Sequence, residues 1–255
     1  MKKILWHFIL KQPFFKKPSI KYCVDHQLLP RLFTKTPSHV LRELLLLPSS
    51  TQITQLNQDI FALLMNHFKP GYYIEIGAND GFTLSNTLYL EEHFGWSGLL
   101  VDANPKYQES LSQRKRATII NKAIGETSCV VQFVDAGLHG GVKKSLDPLH
   151  AHHTDQCPVI SVPCVTLQQM FNDADVPQVI DFLSIDVEGG EIPIVRQLVQ
   201  NTRRVRCGCI EANDRKDDIV IIKQLLNHAG YKIMWEDMTG QDVFFADPKI
   251  CSGGF

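Results

Sequence analysis

The stretch at residues 72–81 constrains the fold more than any other part of the sequence. Its first five residues, Y-Y-I-E-I, have the aromatic and β-branched character of a strand, and Glu75 lies just before Gly77. Gly77 and Gly81 permit a sharp turn and a close approach of the backbone to a ligand. A helical pattern follows over residues 84–94. Strand, turn and helix in this order predict a doubly wound α/β fold with a ligand at the carboxyl end of the strand.

The spacing of the glycines argues against a pyrophosphate-binding turn. A dinucleotide fingerprint reads G-x-G-x-x-G, whereas this turn reads G-x-x-x-G and has Asn79 at the position of the second glycine. An acid just before the first glycine suits a cationic ligand or one with an amino group. S-adenosylmethionine, which carries an ammonium and a sulfonium group, meets this description. The alternative is an ordinary β–α turn in which Glu75 only hydrogen-bonds the backbone.

A second acid follows at the expected distance. The apolar run at residues 98–102 ends in Asp102, which lies 21 residues after Gly81. The acid that holds a ribose diol is expected about 20 residues after the glycine turn. One carboxylate can accept hydrogen bonds from both ribose hydroxyls. The sequence therefore predicts that Asp102 anchors a ribose-containing ligand.

A third apolar run ends in Asp186, and Glu188 and a glycine pair come directly after it. Glu191 and Pro193 then lie in the first turn of a predicted helix, where both residue types are favoured. The pattern predicts a fourth strand of the sheet, with its acid at the carboxyl end.

Together the motifs E-I-G-A-N-D-G, L-V-D-A-N-P and L-S-I-D-V-E-G-G-E resemble the FkbM-type family of S-adenosylmethionine-dependent methyltransferases. The resemblance covers roughly residues 55–246. It implies a single α/β domain with a Rossmann-like fold, in which a seven-stranded sheet is parallel except for one strand and helices cover both faces. It also implies S-adenosylmethionine as cofactor. The expected acceptor is a hydroxyl group on a sugar, a glycan or a secondary metabolite.

The motifs and the resemblance together indicate the cofactor-binding residues, which lie at the carboxyl ends of the predicted strands and in the turns that follow. These are Glu75, Gly77, Asn79, Gly81, Asp102, Asn104, Asn121 and Asp186.

An alcohol acceptor must lose its proton, and a positioned base contributes roughly 10²–10⁴-fold to the rate. Asp186 is the first candidate for this base, since the fourth strand neighbours the first in this topology. Glu188 and His139 are the next candidates. Asp186 could instead bind the amino end of the cofactor, and the sequence leaves both roles open.

A divalent cation is a further possibility at the same edge of the sheet. Asp186 ends the fourth strand, while Glu211 and Asn213 end the fifth, so oxygen ligands suited to Mg²⁺ could meet there. No metal site is assigned, however, since chance acids at strand ends are common.

The histidines at positions 150, 152 and 153 match no usual ligand spacing and are interpreted as solvated loop residues. His139, set between glycines in a loop expected to contact substrate, is singled out.

The remaining elements follow from periodicity and from turn residues. Strands are predicted at 72–76, 98–102, 117–121, 180–186, 205–211, 231–235 and 243–246, with a turn at Thr239 and Gly240 in the last hairpin. Helices are predicted at 55–68, 84–94, 106–114, 166–172, 191–200 and 219–229. Residues 129–162 interrupt this alternation, with an extended run at 129–134.

Composition excludes several classes of protein. A chain of 255 residues can form one α/β domain with a sizeable core. A net charge of −1 argues against binding nucleic acid through a broad basic surface. The seven cysteines are odd in number and include no C-x-x-C pair, so reduced thiols in a cytoplasmic protein are expected. No apolar run approaches the roughly 20 residues that span a bilayer.

Two regions are predicted: a basic and apolar extension at 1–50 and the methyltransferase domain at 51–255. Six lysines precede the first acid, Asp25. A helical extension that packs on the domain is the favoured interpretation, and peripheral contact with an anionic membrane surface is the alternative.

Two other functions remain open from the sequence. A nicotinamide-dependent oxidoreductase would also use the glycine turn and Asp102, although the dinucleotide fingerprint is absent. A non-catalytic binding protein on the same fold would account for the basic amino terminus. The expected partner in either an enzyme or a binding protein is a small molecule or a glycan.

Overall fold

The computed structural model describes residues 54–146, 154–213, 215–236 and 242–251. The extension predicted at 1–50, the histidines at 150, 152 and 153 and the turn predicted at Thr239 and Gly240 lie outside these ranges.

The main sheet has seven strands. They are β1 (Tyr72–Ile76), β2 (Ser97–Val101), β3 (Ala117–Ile120), β8 (Val179–Ile185), β9 (Arg204–Glu211), β10 (Lys232–Met234) and β11 (Asp242–Ala246). Their order across the sheet is β10-β11-β9-β8-β1-β2-β3. All pairings are parallel except those of β11, which runs antiparallel to β9 and to β10. The predicted mostly parallel sheet with one antiparallel strand is therefore confirmed.

Alternate residues of the central strands enter two hydrophobic cores, one on each face of the sheet. In β1, Ile74 and Ile76 belong to one core, while Tyr73 belongs to the other. The first core includes residues of α4 (Leu167–Asp173), α5 (Glu191–Gln200) and α6 (Lys216–His228). The second includes residues of α1 (Gln58–Met65), α2 (Leu88–Phe94) and α3 (Gln108–Leu111). Helices on both faces are thus confirmed. Among the described residues, no helix is both long and apolar enough to cross a bilayer.

A second sheet of four strands, not predicted from the sequence, occupies the region that interrupts the alternation. It consists of β4 (Ala123–Ile124), β5 (Cys129–Val134), β6 (Gly141–Val142) and β7 (Val159–Val165), in the order β4-β7-β5-β6. The extended run at 129–134 was predicted, but its antiparallel partner β7 lies about 30 residues away along the chain. That separation leaves no local hairpin signal for the pairing.

Three predicted helices are shorter than expected. The helix predicted at 55–68 spans only Gln58–Met65. The helix predicted from residue 84 begins at Leu88. The Asp80 carboxylate explains the difference, because it accepts hydrogen bonds from the N–H groups of Phe82 and Thr83 and closes a separate turn there. The helix predicted at 106–114 is a 3₁₀ turn at Pro105–Tyr107 followed by α3.

Gly98, the glycine of β2, should tolerate substitution poorly. A Cβ atom at this buried position would lie 1.9 Å from the carbonyl oxygen of Tyr73 in β1. Because the obstacle is the backbone of the neighbouring strand, we expect Gly98→Ala to lower the free energy of unfolding by about 1–3 kcal/mol or more. Urea denaturation measures this change. Ser97→Ala, at the exposed start of the same strand, is the control and should stay within about 0.5 kcal/mol of the wild type. Equal stability of the two variants would contradict the expectation.

Candidate active site

A cavity of about 660 Å³ opens at the carboxyl ends of β1, β2, β8 and β9. This volume lies within the range of roughly 300–1,000 Å³ that is usual for small-molecule sites. The second sheet forms one wall, since Val131, Phe133 and Cys164 line the cavity. The main sheet contributes polar groups, and the second sheet contributes mostly apolar ones.

The turn after β1 is joined by its backbone to both neighbouring strands. The N–H groups of Gly77 and Ala78 donate to the Val101 carbonyl at 2.8 and 3.1 Å, and the Asp186 N–H donates to the Ile76 carbonyl at 2.9 Å. Gly77 has a φ of +88°, and a Cβ there would lie 1.5 Å from the Asp186 carbonyl oxygen. Only glycine fits at this position.

Two further residues of the turn, Asn79 and Gly81, are also in the left-handed region. Asn79 has a φ of +50°, lines the cavity and donates its backbone N–H to the Asp102 carboxylate at 2.8 Å. Gly81 has a φ of +81°, and a Cβ there would lie 2.9 Å from the Leu111 side chain. Gly81 is not among the residues that line the cavity. Gly81 therefore permits the conformation of the turn and does not form part of the cavity wall.

Asp102 lies just beyond β2, lines the cavity and is only 9% exposed. Its Oδ2 accepts from the Asn79 N–H, and its Oδ1 accepts from the Asn104 N–H at 2.8 Å. Burial raises the pKa of this carboxyl to about 6, although both backbone hydrogen bonds oppose the rise. A carboxylate has about four acceptor positions. Each oxygen of Asp102 thus retains a position that could accept a ligand hydroxyl.

Two of the predicted cofactor-binding residues lie behind Asp102 and do not line the cavity. The buried Asn104 side chain donates to Asp135 at 2.8 Å, and Lys106 forms an ion pair with the same carboxylate. The Asn121 amide donates to the backbone carbonyl of Asp102 at 2.8 Å. Both asparagines therefore position the backbone around Asp102, and Asn104 links it to the second sheet.

Glu75 lines the cavity but is 4% exposed. Its Oε1 accepts from the Asn86 N–H at 2.8 Å, and its Oε2 accepts from the hydroxyls of Ser85 at 2.9 Å and Thr87 at 2.5 Å. Burial raises the pKa of Glu75, while the charge of Arg114 and these hydrogen bonds lower it. The carboxylate thus holds the loop before α2 while lying in the cavity wall.

A group of acids lies at the other end of the cavity. Asp186 follows β8, Glu211 ends β9, and Asp242 begins β11 opposite Glu211. All three line the cavity. Burial, a hydrogen bond with Glu211 and the charges of Glu211 and Glu188 raise the pKa of Asp186 well above its usual range. The Asp186 and Glu211 carboxyls are therefore placed to share a proton.

Glu188 connects three parts of the site. It is buried, has a φ of +57° and accepts a hydrogen bond of 2.9 Å from the Asn213 amide. His139, at the end of the 3₁₀ turn Gly137–His139 beside the second sheet, has its Nδ1 3.8 Å from the Glu188 carboxylate. Glu188 and His139 both line the cavity. The structure thus brings together all three predicted catalytic candidates, since the charge of Glu188 also acts on Asp186.

The loop that carries Asp186 and Glu188 is held by the first residue of α5. The buried Glu191 carboxylate accepts from the N–H groups of Val187 at 3.2 Å and Gly189 at 3.0 Å. It also forms an ion pair of 2.6 Å with Arg215. These contacts account for the acid at the start of the helix.

The cation site considered at Asp186, Glu211 and Asn213 is not supported by the geometry. Within the described ranges, no group of three or more His, Cys, Asp or Glu residues is arranged to hold a metal ion. Asp186 hydrogen-bonds with Glu211, and the Asn213 amide donates to Glu188.

Three residues that form or support the site were not predicted from the sequence: Gln58, Asp242 and Arg114. The Gln58 amide donates to Asp242 at 3.1 Å, and both residues line the cavity. Arg114 contacts the loop before α2 from behind. The two cavity residues lie 184 positions apart, so no local motif could have paired them.

A sequence model of the methyltransferase FkbM domain matches residues 75–233. No curated protein matches the chain.

Several solved structures are similar to the chain at low identity. The FkbM methyltransferase from Methylobacillus flagellatus KT has 14% identity and a TM-score of 0.44, and the alignment covers 69% of this chain and 43% of that one. The putative O-methyltransferase from Klebsiella pneumoniae has 13% identity and a TM-score of 0.41, with 88% and 94% covered. The precorrin-6y C5,15-methyltransferase from Geobacter metallireducens GS-15 has 11% identity and a TM-score of 0.42, with 77% and 89% covered. This chain thus spans less than half of the first of these proteins.

The acidic end of the cavity should make stability depend on pH. Burial and the charge of Glu211 raise the pKa of Asp242 to about 7, against the effect of the Gln58 hydrogen bond. An unfolded aspartate titrates near 3.9. Between about pH 4 and 7 the folded state therefore binds more protons, so the free energy of unfolding falls as the pH rises.

We expect Asp242→Asn to flatten this fall by up to about 1.4 kcal/mol per pH unit, the limit for one proton. The asparagine keeps an oxygen for the Gln58 amide. Urea denaturation at several pH values between 4 and 8 gives the slope, with the exposed Asp217→Asn as control. An unchanged slope in Asp242→Asn would show that this carboxyl does not carry the pH dependence.

Proposed function

Since the chain belongs to the methyltransferase FkbM domain family, we propose that it transfers a methyl group from S-adenosylmethionine to a hydroxyl group of a sugar, a glycan or a secondary metabolite. The observation that carries this proposal is the position of Asp102, which lies beyond β2, lines the cavity and has free acceptor positions beside the Gly77 turn. S-adenosylmethionine is the methyl donor that membership of the family implies.

The residues present fit this cofactor. The backbone at Gly77 leaves no room for a side chain and lines the cavity, so a ligand can approach the main chain closely there. Asp102 offers two acceptor positions for a ribose diol. Glu75 adds a carboxylate to the wall next to the turn, where it would favour a positively charged group.

The acceptor would lie at the acidic end of the cavity. Carboxyl and amide oxygens are hydrogen-bond acceptors for hydroxyl groups, and Glu188, Glu211, Asp242 and Gln58 all line this end. Such a surface favours a polyhydroxylated molecule over an apolar one. This preference supports a sugar or a hydroxylated metabolite as the methyl acceptor.

When bound, S-adenosylmethionine supplies a methyl group on a sulfonium, which is already activated for direct displacement. The protein then has two tasks, to hold the acceptor oxygen in line with that methyl group and to receive the hydroxyl proton. Asp186 is the proposed base, with Glu211 as its hydrogen-bonded partner. Glu188 and His139 are the alternative bases. The alternative role for Asp186 is at the amino end of the cofactor, and the variants below separate these roles.

Removal of Asp102 should weaken cofactor binding. We expect Asp102→Ala to raise the Kd for S-adenosylmethionine and S-adenosylhomocysteine at least tenfold, or about 1.4 kcal/mol, because the ribose loses its acceptor. Calorimetric titration measures both values, and Asp217→Ala on α6 is the control for a lost surface charge. If the wild-type protein binds neither compound at millimolar concentration, the proposed function is wrong. Stabilisation by NAD and not by these compounds would favour an oxidoreductase.

Loss of the proposed base should affect turnover. We expect Asp186→Asn to lower kcat by roughly 10²–10⁴-fold while the Kd for S-adenosylhomocysteine changes less than threefold. Formation of S-adenosylhomocysteine is followed with a panel of free sugars, methyl glycosides, phenols and amines as acceptors. Glu188→Gln, measured in parallel, tests the alternative base.

In Asp186→Asn, a tenfold weaker Kd for S-adenosylhomocysteine with little change in kcat would instead assign Asp186 to cofactor binding. Transfer to amines alone would contradict O-methylation.

A further inference from the structure

Arg114 is a buried arginine outside the cavity whose hydrogen bonds are fully satisfied. Its side chain is 1% exposed and lies beyond α3, behind the turn that follows β1. A guanidinium has five N–H donors, and each of them has a partner here. The acceptors are Glu91 for Nε at 3.1 Å, the Gly81 carbonyl at 2.6 Å and Ser85 at 3.2 Å for one terminal nitrogen, and Tyr73 at 3.2 Å and Thr87 at 3.1 Å for the other.

Most of these contacts serve one segment, residues 81–87, which we call the support loop. Three of the five acceptors lie in it: the Gly81 carbonyl at its start and the hydroxyls of Ser85 and Thr87 near its end. Arg114 therefore holds both ends of the support loop. Its ion pair with Glu91 in α2, at 2.9 Å, anchors the guanidinium itself.

The same two hydroxyls connect Arg114 to the Glu75 carboxylate in the cavity wall. Ser85 and Thr87 donate their protons to Glu75 and accept from Arg114. A hydroxyl can donate and accept at the same time, so each one bridges the buried carboxylate and the buried guanidinium. The charge of Glu75 is thereby compensated by Arg114 through the two hydroxyls.

The middle of the support loop reaches the cavity. Thr83, Leu84 and Asn86 line it, and the Asn86 side chain donates to Ser184 of β8 at 2.9 Å. Leu84 has a φ of +57° and is 39% exposed. This conformation is costly for a residue with a branched side chain and persists only when the surroundings impose it. Hydrogen bonds on both sides of Leu84 impose it here.

We propose that Arg114 is a positioning residue that sets the affinity for the cofactor, by holding the support loop and Glu75 in their binding conformation. This proposal rests on the proposed function. Lysine cannot replace the arginine, since its ammonium has three donors and would leave at least two of these five hydrogen bonds unmade. An arginine that served only the stability of α2 would need no contacts with Gly81, Ser85 and Thr87.

Arg114→Lys tests this proposal, with Arg203→Lys as the matched control. Arg203 is a partly buried arginine that donates to the Val176 carbonyl at 3.0 Å, far along the chain from the support loop. In Arg114→Lys we expect a Kd for S-adenosylhomocysteine at least tenfold weaker and a KM for S-adenosylmethionine raised by a similar factor, with kcat changed less than threefold. The control should stay within twofold in all three values. A Kd within twofold of the wild type in a folded Arg114→Lys protein would overturn the proposal.

Hydrogen exchange of the protein without cofactor provides a readout that does not depend on methyl transfer. The amides of Asn86 and Leu88 donate to Glu75 and to Ser85. In Arg114→Lys these amides should exchange at least tenfold faster, while those of β8 and β9 keep their wild-type protection. Uniform loss of protection across the sheet would assign Arg114 to global stability and would overturn the proposal. Failure of the wild type to bind the cofactor would contradict the proposed function, and this exchange pattern would still report whether Arg114 holds the loop.

Thr87→Val covers the case in which Arg114→Lys does not fold. Valine is similar in shape to threonine but lacks the hydroxyl that bridges Arg114 and Glu75. We expect a three- to tenfold weaker Kd with unchanged kcat. Wild-type affinity in this variant, measured on folded protein, would show that the bridge does not control binding.

Discussion

The site depends on the close approach of the turn after β1 to the backbone at the end of β8. Gly77 lies so near the Asp186 carbonyl that no other residue type fits. The Asp186 N–H donates to the Ile76 carbonyl, and the turn after β1 donates to the Val101 carbonyl of β2. Backbone groups therefore set the spacing between the three strand ends. Since Asp102 and Asp186 follow two of these ends directly, the distance between the two parts of the cavity is set by the sheet and not by flexible side chains.

Acids line this edge of the sheet, and their surroundings give them different properties. Burial raises the pKa of Asp102 to about 6, but the carboxylate accepts two backbone N–H groups, which favour its charged form. Asp186 instead faces Glu211 and Glu188, whose charges favour its protonated form. Glu75 is compensated by two hydroxyls and by Arg114 beyond them. A carboxylate that stays charged suits an anchor, whereas a carboxyl that shares a proton suits proton transfer.

Elements with strong local signals were predicted closely, and elements that depend on distant contacts were not. The bounds of β1 and α5 agree with the prediction, because an apolar run before a glycine turn and an acid with a proline at a helix start are local patterns. The second sheet was missed because β5 pairs with β7 across a long intervening segment. The start of α2 was misplaced, since the periodicity of residues 84–94 carries no sign that Asp80 and Glu75 bind the preceding backbone.

The sequence by itself determined the alternation of strands and helices, the position of an acid at the end of each central strand and the glycine turn, because these features follow from residues adjacent in the chain. The type of sheet followed from the family resemblance of the motifs. Tertiary structure alone decided how those acids are used. It placed Asn104 and Asn121 behind Asp102 and Glu188 beside His139. It also paired Gln58 with Asp242 and brought Arg114 beneath the support loop. The physical reason is that hydrogen bonds and burial depend on which segments meet in space, and the strand crossovers bring together residues that no motif relates.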